Sequence, residues 1–413
     1  MSEAPAIRAS SSLSAVRYEI RGDLARRAHA LEKRGYEVVH LNIGNPGRFG
    51  IRTPETMRLA MIENLSQSEA YCHQKGIFPA REAVVMLQQS RGVMDVTADE
   101  VFIGNGVSEL IDLTLRALLE NGDEVLVPSP DYPLWSAAVT LNGGRPVHYP
   151  CYPDNAFEPD VADIASCITP KTRAIVVISP NNPSGAVYSR STLAAIAALA
   201  EEHGLVVLSD EIYDSMLYED AEFTPMATLA RGTLCATFGG LSKVYRACGY
   251  RVGWVSFSGT ADAAGDYLRG LELLAALRLC SNVPAQWAVQ TALGGYQSIG
   301  ELLRPGGRLY ESRQAVIDAV AASDFLSLVK PMGSMYAFPS VSPAALPGFD
   351  DQAFALELLE TEHVLLAPGT SFNMTDRRHF RLTLLPTADQ LNDVFQRIDR
   401  TLARIAAASR TVA

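Results

Sequence analysis

The chain of 413 residues lacks paired cysteines, an excess of basic residues and long apolar runs. Its six cysteines are scattered, without a Cys-x-x-Cys pair or a nearby histidine cluster, so no metal site is expected and a reducing compartment is favoured. With 35 basic and 46 acidic residues, the net charge of −11 argues against nonspecific binding to nucleic acid or to an anionic membrane. No apolar run reaches the roughly 18 residues of a transmembrane helix. The segment Met1–Ile7 lacks the pattern of a secretion signal, and the sequence predicts a cytoplasmic enzyme.

Short apolar strands alternate with amphipathic helices through the middle of the chain. This pattern predicts an α/β fold with a mostly parallel central sheet sandwiched by helices. The predicted strands are Val101–Ile103, Glu124–Val127, Ala174–Ile178, Val206–Leu208, Ala236–Phe238 and Gly253–Phe257. The predicted helices are Asp23–Arg34, Phe78–Gln89, Glu109–Glu120, Ser191–Glu202, Gln286–Leu293, Leu309–Ala321, Gln352–Glu362 and Ala388–Ala407.

The pattern of predicted strands and helices changes near residue 308, and this change divides the predicted structure into two domains. Residues 55–308 are expected to form a large domain around the sheet. Residues 1–54, as an N-terminal arm and part of a small domain, and residues 309–413 are expected to form a smaller α+β domain. Within it, Leu328–Phe338 is predicted to be a pair of strands.

Lys243 follows a mostly apolar run and small residues, within the segment Ala236–Trp254. A buried lysine is costly to keep charged, and a neutral amine condenses with an aldehyde. Ser242 precedes it and Arg251 follows eight positions later. The alternative is an ordinary surface lysine near an ordinary surface arginine.

Two further segments follow predicted strands and could bind a phosphorylated aromatic ligand. At Gly106, Val107 and Ser108 a glycine turn leads into a helix, where backbone N–H groups and a hydroxyl could bind phosphate; Ser108 could instead be a helix cap. Tyr132 could stack on a flat ring, or could be a half-buried loop residue.

Three polar side chains follow two other predicted strands. Asn182 could donate to a phenolic oxygen, although its Pro- and Gly-rich surroundings also suit a simple turn. Asp210 could hold a pyridine nitrogen in its protonated form, with Tyr213 three residues later; a helix cap is the alternative for Asp210.

Arg381 stands in a short apolar strand, His379–Leu384. A buried arginine requires an anion, because an uncompensated buried charge is expensive. A guanidinium matches a carboxylate bidentately, so Arg381 is a candidate for binding a substrate carboxylate, with a structural ion pair as the alternative. Taken together, these groups are those that a pyridoxal phosphate site requires.

From about residue 15 to 405 the chain resembles the class I/II aminotransferases, the fold-type I family of pyridoxal-phosphate enzymes. The motifs Asn-Pro-Ser-Gly, Asp-x-x-Tyr and Ser-Lys-x₇-Arg carry this resemblance in combination. Further segments resemble the bacterial glutamate–pyruvate (alanine) members of the family. These are Tyr18–Gly22, Leu41–Pro46, Gly104–Leu110, Pro130–Trp135 and Gln290–Gln297.

The resemblance implies a role for each matching residue. Lys243 would hold pyridoxal 5'-phosphate covalently and act as general base and acid, Asp210 would pair with the ring nitrogen, and Tyr213 and Asn182 would hold the phenolic oxygen. Gly106, Val107, Ser108, Ser242 and Arg251 would bind the phosphate, and Tyr132 would stack on the ring. Arg381, Asn182 and Gly44 would contact the substrate. Tyr71 would reach the phosphate of a partner subunit, which implies a homodimer with shared active sites.

The pattern departs from the family at two neighbouring positions. Gly240 stands where many relatives carry a phosphate-binding hydroxyl, although alanine-type relatives often have glycine there too. Gly239 stands where the alanine-type relatives carry asparagine.

The expected reaction moves an amino group between an L-amino acid and a 2-oxo acid, with L-alanine and 2-oxoglutarate giving pyruvate and L-glutamate. Arg21 is the candidate for binding the distal carboxylate of glutamate, or it only pairs locally. Alternatives on the same cofactor are transamination of another amino acid in a biosynthetic pathway and C–S bond cleavage of a sulfur amino acid. A transcription regulator would need a basic helix-turn-helix extension, and only a short stretch precedes the matching region.

Overall fold

The computed structural model describes residues 7–16 and 22–412. Its strands, in chain order, are β1 Val39–His40, β2 Val101–Gly104, β3 Glu124–Ser129, β4 Arg145–Pro150, β5 Thr172–Ile178, β6 Val206–Asp210, β7 Leu234–Gly240, β8 Gly253–Gly259, β9 Leu326–Ser327, β10 Tyr336–Ala337, β11 Ser340–Val341, β12 Val364–Leu365, β13 Ala367–Pro368 and β14 Phe380–Thr383. Its α-helices are α1 Asp23–Lys33, α2 Glu55–Glu63, α3 Phe78–Ser90, α4 Val107–Leu118, α5 Leu134–Leu141, α6 Val161–Ser166, α7 Arg190–His203, α8 Gly265–Leu277, α9 Val283–Gly294, α10 Ile299–Leu303, α11 Arg308–Ala321, α12 Asp351–Glu362 and α13 Ala388–Val412.

Seven strands form the central sheet, in the order β2-β8-β7-β6-β5-β3-β4. All neighbours from β7 to β4 run parallel, and β8 is antiparallel to both β7 and β2. Parallel neighbours put the carboxyl ends of β3, β5, β6 and β7 at one edge of the sheet. This is the edge at which ligands bind in open α/β sheets.

The strands of the sheet are apolar on both faces because helices cover both. In β5, Ala174, Val176 and Ile178 pack with the cluster that contains Trp135, whereas Ile175 and Val177 pack in a separate cluster on the opposite face. Successive side chains of a strand point to opposite faces, so an unbroken apolar run is what a doubly covered sheet needs.

A third apolar core lies mainly among the C-terminal elements. It packs residues of α11, α12 and α13 around the short strands β10 and β14, with Val316, Leu358 and Ile398 fully buried. Leu41 from the N-terminal part joins this core, and β1 pairs in parallel with β12. The division at residues 54/55 and 308/309 remains a prediction.

The sequence prediction of an α/β fold with a mostly parallel sheet between helices is confirmed. All six strands predicted for the central sheet form, each within two residues of its predicted bounds, and the predicted strand His379–Leu384 forms as β14. The seventh strand, β4, was not predicted; it lies at the edge of the sheet and its residues are mostly half-buried, so it lacks the apolar run of its neighbours.

The prediction of a strand pair over Leu328–Phe338 is wrong. Only Tyr336–Ala337 forms a strand there, and it pairs with β14, far along the chain. The short strand β9 ends at Ser327 and pairs with β11. Local alternation of apolar residues did not reveal these distant partners.

No α-helix among residues 7–16 and 22–412 is long and apolar enough to cross a membrane. In the same ranges, no group of three or more His, Cys, Asp or Glu side chains is arranged to hold a metal ion.

Candidate active site

A cavity of about 600 Å³ opens at the carboxyl ends of the parallel strands. Asp210 is the last residue of β6, and Ser242 and Lys243 follow β7 directly. Asn182 follows β5, and Tyr132 follows β3. The short loops after these strands are what bring residues distant in sequence to one place.

The cavity contains most of the residues singled out from the sequence. Those that line it are Gly44, Val107, Ser108, Tyr132, Asn182, Asp210, Tyr213, Ser242, Lys243, Arg251 and Arg381. Gly106 adjoins it, next to Arg251. Tyr71 is not among the lining residues and its side chain is 78% exposed. Arg21, the candidate for the distal carboxylate, lies outside the described residues.

Lys243 Nζ donates a hydrogen bond to the backbone oxygen of Gly44 at 3.0 Å. The lysine is half-buried, and its positive charge acts on Tyr336, whose pKa it lowers. A Cβ on Gly44 would overlap the hydroxyl of Tyr336, and it would lie 2.8 Å from Met335 Sδ. Gly44 therefore permits a close approach of backbone, lysine amine and phenol that no other residue type would allow.

Tyr336 is a site residue that the sequence reasoning missed. Its hydroxyl lies 3.4 Å from that of Tyr213, and the guanidinium of Arg381 stacks 4.2 Å from its ring centroid. Burial raises its pKa, but the positive charges of Lys243 and Arg381 outweigh burial and the net shift is downward. No local signal marks this tyrosine, because its role depends on the pairing of β10 with β14.

Asp210 is a buried carboxylate with few partners. Its Oδ2 accepts a hydrogen bond from Trp135 Nε1 at 3.1 Å, and its Oδ1 accepts one from the backbone N–H of Ile212 at 3.4 Å. Burial raises the pKa of Asp210, and the indole N–H opposes that shift. No helix follows β6 directly, so the alternative of a helix cap is wrong. A cation in the cavity would offset the cost of this buried charge.

Arg251 lines the cavity near the N-terminus of α4, and Gly106 adjoins the guanidinium there. Gly106 is the N-cap of that helix with a φ of +84°, so Ser108 does not cap it and lines the cavity instead. A Cβ on Gly106 would collide with the guanidinium of Arg251, whose Nη2 donates to the Asn105 oxygen at 3.2 Å. A helix N-terminus beside a guanidinium suits a phosphate.

Arg381 is 2% exposed and sits between two aromatic rings. Its Nη1 donates to Asn182 Oδ1 at 2.8 Å and its Nη2 donates to the Asn42 oxygen. Its guanidinium carbon lies 4.2 Å from the Tyr336 ring and 4.5 Å from the Phe372 ring. Its Nε is buried without a hydrogen-bond partner among the described residues. No carboxylate pairs with it there, so the alternative of a structural ion pair finds no support.

The two glycines at the end of β7 are explained by the neighbouring strand. Gly239 pairs with Trp254 of β8, and a Cβ on it would lie 2.6 Å from the indole Nε1. A Cβ on Gly240 would lie 3.0 Å from the backbone oxygen of Val252. Trp254 thus occupies the space that a side chain at position 239 would need.

The fold and the cavity together define an α/β enzyme with a lysine, a buried acid, an anion-binding helix end and a buried arginine in one site. The family model for aminotransferase class I and II matches residues 36–398, and the chain belongs to this family. It is an aminotransferase, and members of this family use pyridoxal 5'-phosphate.

The similarity to individual relatives extends over nearly the whole chain. The glutamate-pyruvate aminotransferase AlaA of Escherichia coli (strain K12) is 48% identical, over 96% of this chain and 98% of that protein. The alanine aminotransferase of Mycobacterium bovis is 46% identical, over 95% and 92%. Among solved structures, an aminotransferase from Escherichia coli superposes with a TM-score of 0.95 at 47% identity, covering 97% of this chain and 99% of that chain. The alanine aminotransferase of Pyrococcus furiosus superposes with a TM-score of 0.91 at 36% identity, covering 96% and 100%.

Proposed function

We propose that this aminotransferase transfers the amino group of L-alanine to 2-oxoglutarate, giving pyruvate and L-glutamate, with pyridoxal 5'-phosphate as cofactor. The observation that carries the proposal is the single cavity that joins Lys243, Asp210 and Arg381. The names of the relatives, glutamate-pyruvate and alanine aminotransferase, support the choice of substrates.

The residues present fit the cofactor. The buried Asp210 would pair with the ring nitrogen, because a buried carboxylate is stabilised by a cationic partner. The N-terminus of α4, with Ser108 and Arg251, would hold the phosphate, and Tyr132 would cover a ring face. When bound, the cofactor supplies an aldehyde carbon that bonds the substrate amine and a cationic ring that draws electrons from the α-carbon.

The protein itself then has two tasks, to orient the substrate and to move a proton. Arg381 would hold the α-carboxylate, since its side chain lines the cavity and no carboxylate pairs with it among the described residues. Lys243 Nζ would take the proton from the substrate α-carbon, as a general base located on the same wall as Gly44. Tyr213 and Asn182 would hold the phenolic oxygen of the cofactor.

We further propose a homodimer with shared active sites, in a cytoplasmic setting. Tyr71 is exposed and does not line the cavity of its own chain, which suits a residue that reaches a partner's phosphate. Large apolar side chains are exposed on nearby elements of the chain: Leu59, Ile62, Leu65, Phe78, Leu273 and Leu277. Burying them against a second copy would be favourable. All six cysteines are free thiols, as in proteins of reducing compartments.

The test is a panel of amino acids and 2-oxo acids assayed with the purified protein. L-Alanine with 2-oxoglutarate should give the highest or nearly the highest kcat/KM. A bulky or cationic amino acid that dominates the panel would overturn the substrate assignment. Release of pyruvate and ammonia without a 2-oxo acid acceptor would indicate C–S bond cleavage or a related elimination instead.

Arg21 provides a second test of the substrate assignment. As the candidate for binding the distal carboxylate, Arg21→Ala should raise the KM for glutamate much more than the KM for alanine, which has no second carboxylate. Steady-state kinetics of both half-reactions measures this difference. Equal effects on the two substrates would exclude the role.

A further inference from the structure

The loop that follows β3 meets a segment of the C-terminal part of the chain next to the cavity. Asp131 in this loop is fully buried. The side-chain amide of Asn373 donates to Asp131 Oδ1 at 2.8 Å and to Ser136 Oγ at 2.9 Å. A carboxylate, an amide and a hydroxyl thus meet across two parts of the chain that are about 240 residues apart.

The backbone strengthens this contact. The N–H of Asp131 donates to the Phe372 oxygen at 3.0 Å, and Ser129 Oγ donates to the Asn373 oxygen at 2.8 Å. Asn373 has a φ of +56°, a left-handed conformation that asparagine tolerates better than most residues. We name this set of hydrogen bonds, made by Ser129, Asp131, Ser136, Phe372 and Asn373, the clasp.

Each side of the clasp carries a residue of the site. On one side, Asp131 directly precedes Tyr132, which lines the cavity. On the other, the ring of Phe372 lies 4.5 Å from the guanidinium carbon of Arg381. The clasp therefore joins the loop of Tyr132, which would cover the cofactor ring, to the segment of Phe372, whose ring contacts Arg381.

Joining two segments through a buried carboxylate costs free energy, because the carboxylate loses its contact with water. Burial raises the pKa of Asp131 to about 7, although the Asn373 amide donates to it. Its Oδ2 has no hydrogen-bond partner among the described residues, and the charged-group contact nearest to it there is His148 Nε2 at 3.9 Å. Apolar side chains of similar volume often hold two segments together at lower cost, so the acid is not needed for packing alone.

We propose that Asp131 and Asn373 are positioning residues, which fix Arg381 relative to Tyr132 so that the substrate carboxylate and the cofactor ring are held in one geometry. The inference rests on the proposed role of Arg381 in binding a carboxylate. The clasp would act on substrate binding through the position of Arg381. A shift of about 1 Å in a group that binds the substrate is enough to weaken catalysis strongly.

The test exchanges the two polar groups. Asn373→Asp alone places two carboxylates in contact, and we expect the affinity of the pyridoxal-phosphate-loaded protein for succinate to fall at least about tenfold. The double variant D131N/N373D restores an amide facing a carboxylate, and its affinity should return to within about threefold of the parent. Isothermal titration calorimetry measures both without relying on turnover.

A second variant covers the case in which Asn373→Asp does not fold. Asn373→Gly removes only the side chain, and glycine accepts the positive φ without strain. It should also lower succinate affinity about tenfold, and it should raise the KM for L-alanine more than it lowers kcat.

Asp351 provides the matched control. It is also a fully buried aspartate and its Oδ2 accepts from the Thr370 N–H at 2.7 Å, so it contacts the same segment from within the C-terminal part. Asp351→Asn should lower the Tm but leave succinate affinity unchanged. If Asn373→Gly lowers only the Tm, as this control does, or if the double variant is no better than Asn373→Asp, the proposal is wrong.

A failure of the underlying role is distinguishable. Arg381→Leu should abolish succinate binding. If Arg381→Leu binds succinate as the parent does, the assignment of Arg381 fails, and the clasp inference fails with it. If Arg381→Leu loses binding but the clasp variants keep it, only the clasp inference is overturned.

Discussion

Replacing Arg381 by lysine tests the proposed binding of the substrate α-carboxylate most directly. Lysine keeps the positive charge but loses the planar fork of donors. In the structure this fork donates to Asn182 Oδ1 at 2.8 Å and to the Asn42 oxygen, and the side chain also lines the cavity in which a carboxylate would bind. An ammonium cannot satisfy all three directions at once.

The expected loss follows from burial. Arg381 is 2% exposed, so its interaction with an anion is little screened by water. Removing one partner of a buried charged pair costs about 2–5 kcal/mol, and lysine retains the charge, so a loss of about 2–3 kcal/mol is expected. This corresponds to roughly a 30- to 150-fold decrease in kcat/KM.

The assay measures kcat/KM for an amino acid and for a 2-oxo acid separately. Both substrates carry the α-carboxylate, so Arg381→Lys should lower both values by similar factors. Transfer kinetics with each half-reaction give these values under matched conditions.

Arg313 is the control because it is also fully buried and stacks on an aromatic ring, 4.8 Å from Tyr218. Its Nε donates to the Pro331 oxygen at 2.7 Å, and it is not among the residues that line the cavity. Arg313→Lys should lower the Tm and leave kcat/KM within about twofold. The reasoning is refuted if Arg381→Lys retains kcat/KM within about threefold, or if Arg313→Lys is equally damaging.

Three other predictions concern the amine, the buried acid and stability against pH. Lys243→Ala should abolish both turnover and the yellow adduct with pyridoxal phosphate, measured by absorbance; persistence of either contradicts its role. Trp135→Phe removes the N–H that opposes the upward pKa shift of Asp210, and should lower kcat/KM about tenfold, with an unchanged value counting against the pairing. Burial lowers the pKa of His379 to about 4, with Asp376 opposing the shift, whereas an unfolded imidazole titrates near ~6.5. Between about pH 6.5 and 4 the folded state binds fewer protons than the unfolded state. The contribution of His379 to the free energy of unfolding is therefore fully present above about pH 6.5 and is lost as the pH falls towards 4. The free energy of unfolding, measured with urea, should fall between pH 7 and 5 by about 2 kcal/mol less in His379→Phe than in the parent. An identical pH dependence in the variant would show that His379 does not contribute.

The central sheet was predictable because each of its buried strands is mostly apolar. The edge strand β4 was missed because its residues are half-buried. Among the C-terminal strands, β14 was predicted from the apolar segment His379–Leu384, whereas the two-residue strands were missed because two residues carry no periodicity. The candidate site could be predicted in part for a related reason. Lys243, Asp210 and Asn182 each follow a strand that the sequence reveals, so their meeting at one edge follows from parallel pairing.

Other features of the site depend on contacts that no local pattern records. Trp135 ends the segment Pro130–Trp135, and no role was predicted for it. Its indole N–H nevertheless donates to Asp210, 75 positions away. Tyr336 reaches Lys243 only because β10 pairs with β14. The clasp joins residues 242 positions apart. The fit of Gly239 against Trp254 likewise exists only across paired strands.

The amino-acid sequence by itself determined the kind of fold, the family and the inventory of reactive groups, since apolar periodicity and short motifs are properties of neighbouring residues. The tertiary structure alone decided which of these groups touch, how deeply Asp210 and Arg381 are buried, and in which direction the pKa of Asp210 shifts. The physical reason is that burial and hydrogen bonding depend on distances between segments, and these distances are set only when the helices and strands pack together.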